Sequence, residues 1–405
     1  MNRPRPADRK HRCRAWGPRA LHRLHGGRDT TEGTTAVTQM DDPPAPAARP
    51  VPGTFTVRPG VPDDWDGLLG PGSPATLSRR WITLAEGRIP GGARTLALEG
   101  EHGPSVALVG GPVEEPTGHV RFDPFRVLSG GSAGEGVAEQ GPHPWRGRAP
   151  EDVFPCCLLM FPNYETAPAG PDAHDPAAVG RWVDGLVAWA RDNGMRSVAG
   201  LFLRPDFPAF TGALRERGFD IVPMVDRCDM DVTWQDFDGY LATLPRKRRF
   251  AVRRELRDIA LRGVVVGERP VRDEEPELVR LRHQIVTKYG GVPDAEREAG
   301  SLRHLRDHFG PENVTVVEAR QDDALLSFSI LVRDGGQWTV LMSGTDYDRP
   351  DASFTYFATM FYRPAELAPR LGITSMAYGL GTLQAKKLRG CTVNTLSAAA
   401  LLLDR

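Results

Sequence analysis

The sequence predicts an α/β fold of the α+β kind, with a mixed central sheet that contains an antiparallel meander, and three observations carry that expectation. Between residues 153 and 234, strand-like apolar runs alternate with helical stripes, the order that builds a layered α/β unit. Residues 314–319, 325–332 and 337–343 are three consecutive strands joined only by RQDDA and DGG, which carry the Asp and Gly that tight hairpins want. The stretch 241–263 is one amphipathic helix: Lys247, Arg248, Arg249, Arg253, Arg254 and Arg257 crowd its polar side, while Leu244, Val252, Leu256 and Ile259 recur at helical intervals.

At 405 residues with 40% hydrophobic composition, the chain is long enough for two domains with real cores. The net charge of −1 gives no global pull toward nucleic acid or anionic membrane, and no DNA partner is expected. Residues 1–40 are locally basic, with nine Lys or Arg against Asp8, Asp29 and Glu32. They contain no apolar run of signal-peptide length and little to bury, so 1–53 is expected to be a disordered leader and Pro-rich linker. Met40 is a plausible true start, and an upstream-start artefact is favoured over a nucleic-acid-binding arm. No transmembrane segment is expected, because no apolar run approaches the length a span requires. Five cysteines without a CxxC spacing indicate neither a disulfide framework nor a zinc site, which fits a reducing cytoplasm.

From residue 54 the pattern turns globular. Residues 75–88 read as helical with Leu77, Trp81 and Leu84 on one side, and 94–99 with 105–109 form a hairpin. The aperiodic, Gly- and Pro-rich stretch 110–150 reads as a mobile loop. A buried strand follows at 153–161. Asp175 and Pro176 then open a helix whose stripe is Val179, Trp182, Val183, Leu186 and Trp189, ending at Gly194. Next come a strand at 197–203, a helix at 207–217 and a strand at 219–234 broken near Pro223. The basic helix should have Pro245 at its first position and Gly263 just beyond its end. After it come a strand at 264–267, helices at 274–289 and 301–309, and the meander. The chain closes with a helical segment at 354–371 kinked at Pro364, a strand at 375–378, the basic turn GTLQAKKLRG and an apolar tail.

The basic helix places Arg246, Lys247, Arg248 and Arg249 in its first turn, where the macrodipole is already positive and acidic residues are normally favoured. An anion such as phosphate or carboxylate seated there would explain them. The alternative is a solvated basic face.

KxRxxVRR at Lys247, Arg249, Val252, Arg253 and Arg254 resembles the helix that opens the second lobe of FemAB-like transferases, which are doubled GNAT proteins of peptidoglycan cross-bridge synthesis. GTDYD at 344–348, then FYRPAELAPRLGI, YGLG and AKKLRG, resemble the closing strand, helix and strand of those proteins and of actinobacterial relatives labelled peptidoglycan biosynthesis or BioF2-like. The resemblance is good over 236–397 and weak over 54–235. It implies a tandem GNAT-like acyltransferase fold, with a degenerate N-terminal lobe at 54–235 and a C-terminal lobe at 236–405. It also implies N-acyl transfer to an amine acceptor, a small molecule or a cell-wall precursor, without a permanently bound cofactor. The acyl or aminoacyl group would come from acyl-CoA or aminoacyl-tRNA as co-substrate. Acyl-CoA-dependent members carry a glycine-rich pyrophosphate loop after the central strand; here that place reads MSGTDYDRPDASF, whose three aspartates repel pyrophosphate. The departure favours aminoacyl-tRNA or another carrier. Two further readings are a non-catalytic GNAT-fold protein and a nucleic-acid-binding module that uses the helix at 245–262.

Acyl transfer to an amine needs a deprotonated nucleophile and a stabiliser for the oxyanion, without metal. Lys386, in AKKLRG, matches a family lysine near the active centre and is the candidate stabiliser; its alternative is a solvated lysine. Ala385 and Arg389 depart from the aromatic residues common there, with Arg389 kept as a substrate-binding candidate. Arg249, with Lys247 and Arg253, would bind phosphate, and Arg249 and Lys386 should face one cavity. Tyr347 could orient a carbonyl or accept a proton, with an interfacial tyrosine as its alternative, and Tyr289 and Tyr378 are similar substrate-binding candidates. Glu318, on the first meander strand, is a candidate base. His304 and His308 have ligand spacing but no third ligand and read as a surface helix. Cys391 reads as a small buried apolar residue.

Overall fold

The computed structural model of the protein describes residues 51–403 except 86, 88, 90, 120, 132–141, 162, 289 and 290. The expected leader therefore lies, up to position 50, outside the described residues, as does Tyr289. The strands are β1 (Phe55–Pro59), β2 (Arg94–Gly100), β3 (Gly103–Val113), β4 (Cys156–Leu159), β5 (Ser197–Leu203), β6 (Asp220–Asp231), β7 (Val265–Pro270), β8 (Val314–Gln321), β9 (Ala324–Asp334), β10 (Gln337–Thr345), β11 (Ser375–Leu380) and β12 (Thr392–Leu402). The first seven helices are α1 (Arg79–Leu84), α2 (Pro124–Leu128), α3 (Pro150–Val153), α4 (Pro176–Asp192), α5 (Pro208–Glu216), α6 (Phe237–Thr243) and α7 (Arg246–Leu261). The rest are α8 (Pro276–Lys288), α9 (Ala295–Phe309), α10 (Thr355–Phe357), α11 (Arg363–Leu367) and α12 (Leu383–Lys387).

Local chemistry sets most of these boundaries. The Asp175 carboxylate accepts from the N–H groups of Ala177 and Ala178 at the start of α4, and Asp294 accepts from Arg297 N–H at the start of α9. Asp322 and Asp323, both at positive φ, form the two-residue turn from β8 to β9, the backbone such a hairpin demands. Where the expected stretch 110–150 was read as loop, β3 continues to Val113 and Asp123 caps α2.

The described strands form one sheet in the order β1-β2-β3-β4-β5-β12-β6-β11-β10-β9-β8-β7. The expected apolar tail is thus β12, antiparallel to both β5 and β6 and inside the sheet. Its Leu396, Ala398, Ala399 and Ala400 pack into the core of the first half, so the chain returns across the expected lobe boundary at 235. β6 is shared in the same way: Val222, Met224 and Val225 enter that core, whereas Cys228 and Met230 enter the core beneath α6 and α7. Pro223 does not break β6; the strand absorbs it at a register shift opposite Leu396 and Ser397, the kind of irregularity at which a sheet tolerates proline.

Two more details differ from expectation. Pro245 is the N-cap of α7 rather than its first helical residue, and 241–243 belong to α6. Within the segment 354–371, a π turn at Ala358–Tyr362, closed by Arg363 N–H on Ala358 C=O, widens the helix just before Pro364. Across the halves, Trp81 of α1 packs on Phe309 of α9 at 4.8 Å between ring centroids. His308 Nε2 lies 2.7 Å from Arg80 C=O and His304 Nε2 3.4 Å from Leu84 C=O, so both histidines sit on the seam between α9 and α1.

Candidate active site

A wedge in the sheet creates the site. β10 and β11 run parallel and pair only over Gln337–Thr339 and Ser375–Ala377. Beyond that, Leu341 is bulged out of the β9 register and β11 shifts register against β6 between Ala377 and Gly379, so the two strands diverge. The opening is a cavity of about 1120 Å³, walled by 340–345 of β10, Tyr378 and Leu380 of β11, the segment 345–354 and α12. A smaller cavity of about 430 Å³ adjoins it, sharing Arg121, Arg282, Met342 and Tyr378 and reaching Asn163 and Tyr164 of the first half. Arg121, Arg282, Lys288 and Arg349 outnumber Asp346 on the larger cavity's wall, so the site favours an anionic or electron-rich ligand.

The first half has the equivalent parallel pair, β4 and β5, but its wedge is filled by the chain itself. Thr166 N–H donates to Phe202 C=O at 2.8 Å, and Arg204 N–H donates to Thr166 C=O at 3.1 Å. Glu165, fully buried, accepts from Thr76 and is paired with Arg227 and with Arg204 at 2.9 Å. This plug closes the first half's wedge, whereas the second half's wedge stays open.

Lys386 reaches the cavity wall, yet it is only 3% exposed. Its Nζ donates to the carbonyls of Tyr378 at 2.7 Å, Gly379 at 3.1 Å and Leu380 at 2.9 Å. An ammonium has three N–H bonds. All three point at the end of β11, so Lys386 is a strand clamp rather than an oxyanion donor. Arg389 is equally buried and does not line the cavity: it donates to Ala385 C=O, Tyr362 Oη and the Glu255 carboxylate, and lies 3.2 Å from the Phe357 ring centroid. It therefore ties α12 to α7 and to the π turn, which corrects its expected role in binding substrate.

Arg249 and Lys386 do not face one cavity. Arg249 and Arg253 line a separate shallow cleft of about 250 Å³ with Asp238 and Arg246, while Lys247 is exposed. Glu318 is held by Arg269 and Arg320, each at 3.1 Å, and lines neither part of the wedge, so it is not placed as a base. Tyr347 does stand at the rim, 46% exposed, with Lys288 Nζ 3.8 Å from its ring centroid. Tyr378 lines the wedge with its ring stacked on Phe361; burial holds its phenol well above the ordinary tyrosine range, so it stays protonated at neutral pH. Cys391 is buried, with burial pushing its thiol up, as a structural cysteine requires.

Three wall features had little sequence signal. Arg282 sits at the edge of the α8 apolar stripe and donates to Ser343 C=O at 3.4 Å. Arg121 comes from the aperiodic stretch, which offered no pattern to read. Thr345 is buried beside the cavity, with a hydroxyl that has no hydrogen-bond partner and is itself shielded from solvent.

The segment after β10 explains itself through its N–H groups. Asp346 N–H donates to Leu326 C=O, Tyr347 N–H to Gln284 Oε1 at 2.9 Å and Asp348 N–H to the Asp346 carboxylate at 3.3 Å. Arg349, Ala352 and Ser353 N–H groups donate to carbonyls within the same segment. Burial, the largest influence on Asp346, raises its pKa, but hydrogen bonds from Arg280 and Gln284 and the Arg280 charge outweigh it and hold the carboxyl below its usual range. The segment is therefore a closed acidic turn and not an open phosphate cradle.

No family model matches the sequence, and no curated protein matches it. Solved structures do. FemX aligns with a TM-score of 0.52 over 80% of this chain and 91% of its own, at 11% identity. The fold is similar to that of FemX. A tandem GNAT protein from the clavulanic acid biosynthesis pathway aligns over 87% of this chain and 99% of its own, with 10% identity and a TM-score of 0.47. The C-terminal domain assigned to a lysylphosphatidylglycerol synthetase of Agrobacterium fabrum covers 81% of this chain and 87% of its own, with 13% identity and a TM-score of 0.47.

Proposed function

We propose that this protein is an N-acyltransferase whose reaction takes place in the wedge between β10 and β11. The observation that carries the reading is the pair of diverging strand edges, lined by Arg282 and Tyr347. Backbone groups on separated strands are free to pair with an extended carrier arm, as any exposed sheet edge can. The bulged peptide at Leu341 is the natural donor for a carbonyl that becomes an oxyanion, being fixed in place before substrate arrives. The amine forms a C–N bond to the acyl carbon, the ester or thioester bond to the carrier breaks, and the carrier leaves as its hydroxyl or thiol with the amine's proton. In this reading Tyr347 orients the acceptor at the rim through its exposed hydroxyl, and Arg282 faces the negative or electron-rich part of the substrate.

The turn at 346–353 supports a carrier other than acyl-CoA, with aminoacyl-tRNA foremost, because the N–H groups of Asp346, Tyr347, Asp348, Arg349, Ala352 and Ser353 are already bonded and form no pyrophosphate cradle. A cell-wall precursor or another small amine is the proposed acceptor. The test supplies labelled aminoacyl-tRNA or labelled acetyl-CoA with an amine pool and measures amide product for wild type and Tyr347→Phe. Product from aminoacyl-tRNA that drops about tenfold or more in the variant supports the reading, given the cost of losing a substrate hydrogen bond. Efficient use of acetyl-CoA would move the carrier to CoA, and no product from either donor would remove the enzymatic reading.

A further inference from the structure

The basic helix α7 is left without a task by the wedge, and its outward face has a composition that a solvated face does not need. With 3.6 residues per turn, Arg246, Arg257, Phe250, Leu261 and Arg254 fall within an arc of about 80°, flanked closely by Lys247 and Arg253. Phe250 is 58% exposed and Leu261 86% exposed, and Val265 just beyond the helix is 71% exposed. The opposite side is anchored: Val252, Glu255 and Ile259 are buried.

Among the described residues Lys247, Arg249, Arg254 and Arg257 have no ion-pair partner. The acids nearby are few. Asp238 sits 3.2 Å from Arg253 in an exposed pair, Asp258 lies at the edge of the arc, and Glu255 is buried behind it. A near-zero net charge over the whole chain thus conceals a strongly cationic face.

We infer that α7 is an interfacial helix that docks flat on an anionic lipid bilayer. Cations in a band with Phe and Leu among them are what such a surface selects: guanidinium groups meet lipid phosphates while the two apolar side chains enter the headgroup boundary. Phe250 and Leu261 are roughly 16 Å apart along the axis, so both can enter one plane with the helix lying in it. Nucleic acid would use the same arginines and could stack a base on Phe250, but it offers nothing to Leu261 or Val265. Arg262 carries the contact toward the wedge, donating to the carbonyls of Pro350 at 3.3 Å, Asp351 at 3.2 Å and Ser353 at 2.9 Å in the cavity wall. The docking does not depend on the transfer reaction.

The experiment is sedimentation of the full chain with vesicles of phosphatidylcholine, with and without phosphatidylglycerol, at low and high salt. Two variants run alongside, Arg254→Gln with Arg257→Gln, and Phe250→Ser with Leu261→Ser, and their thermal unfolding is compared with wild type. Neither pair lines the wedge. Binding should require phosphatidylglycerol and fall at high salt, weakening about thirty-fold in the arginine pair and about tenfold or more in the apolar pair. Absence of binding to anionic vesicles overturns the inference, as does binding that both folded variants retain in full. Preferential binding of unfractionated tRNA that the Arg254 and Arg257 changes weaken and the Phe250 and Leu261 changes leave intact also overturns it in favour of a nucleic-acid face, whereas tRNA held at the wedge would ignore both pairs.

Discussion

Replacing Lys386 with methionine separates a strand clamp from a catalytic lysine. The substitution keeps the aliphatic bulk and removes three donors, leaving the carbonyls of Tyr378, Gly379 and Leu380 without their partner. An abandoned buried polar group costs about 1–3 kcal/mol. Some of the three would regain water from the adjoining cavity, so a loss of about 3–5 kcal/mol in unfolding free energy is expected. Urea denaturation followed by circular dichroism measures it, with Lys387→Met as the control, because Lys387 is exposed and its loss should change stability by less than about 0.5 kcal/mol. A Lys386→Met protein as stable as wild type would refute the clamp and return Lys386 to the list of groups free to act on substrate.

Three further outcomes follow from the geometry. Arg389→Met should cost about 2–4 kcal/mol in urea denaturation because it leaves the buried Glu255 carboxylate with only the Tyr362 hydroxyl and a longer contact to Arg248, and adding Glu255→Gln should recover part of that loss. Asp346 has a lowered pKa in the folded protein, so its contribution is fully present above the unfolded carboxylate value and is lost as pH falls through the folded one; Asp346→Asn should flatten the acid limb of a stability-against-pH curve. Trp81→Ala should cost about 3–5 kcal/mol by opening a hole on the seam with Phe309, read as a lower midpoint in the same denaturation.

Where local chemistry decided the structure, the sequence was informative. The Asp175 cap, the Asp322 and Asp323 turn, the three meander strands and the alternating elements from 153 to 231 needed only periodicity and turn residues, and the first strand of the meander began at the expected Val314. Non-local pairing was less legible. A terminal apolar run such as 396–403 has no turn or alternation to mark it as an interior strand, and its place between β5 and β6 is fixed by partners about 170 to 200 positions away. The candidate residues failed for a related reason: charge type is visible in a sequence, but whether a charge is already engaged is not. Lys386, Arg389 and Glu318 carry suitable groups whose hydrogen bonds go to β11, Glu255 and Arg269, respectively. Tyr347 lies at the rim of the cavity, directly after a strand that periodicity made readable. Arg249 was not, because a helix face says nothing about which cavity it meets.

The most direct test of the wedge as the acyl-transfer site is to fill it. Leu341 is bulged from β10 and 38% exposed on the cavity wall, so Leu341→Trp adds bulk toward the cavity rather than into a core. Amide formation from labelled aminoacyl-tRNA and from acetyl-CoA would be measured for wild type and the variant, with thermal unfolding of both. Wild-type transfer that disappears in a variant of unchanged melting temperature is the expected result. A variant as active as wild type, or a wild type that transfers from neither donor, would contradict it.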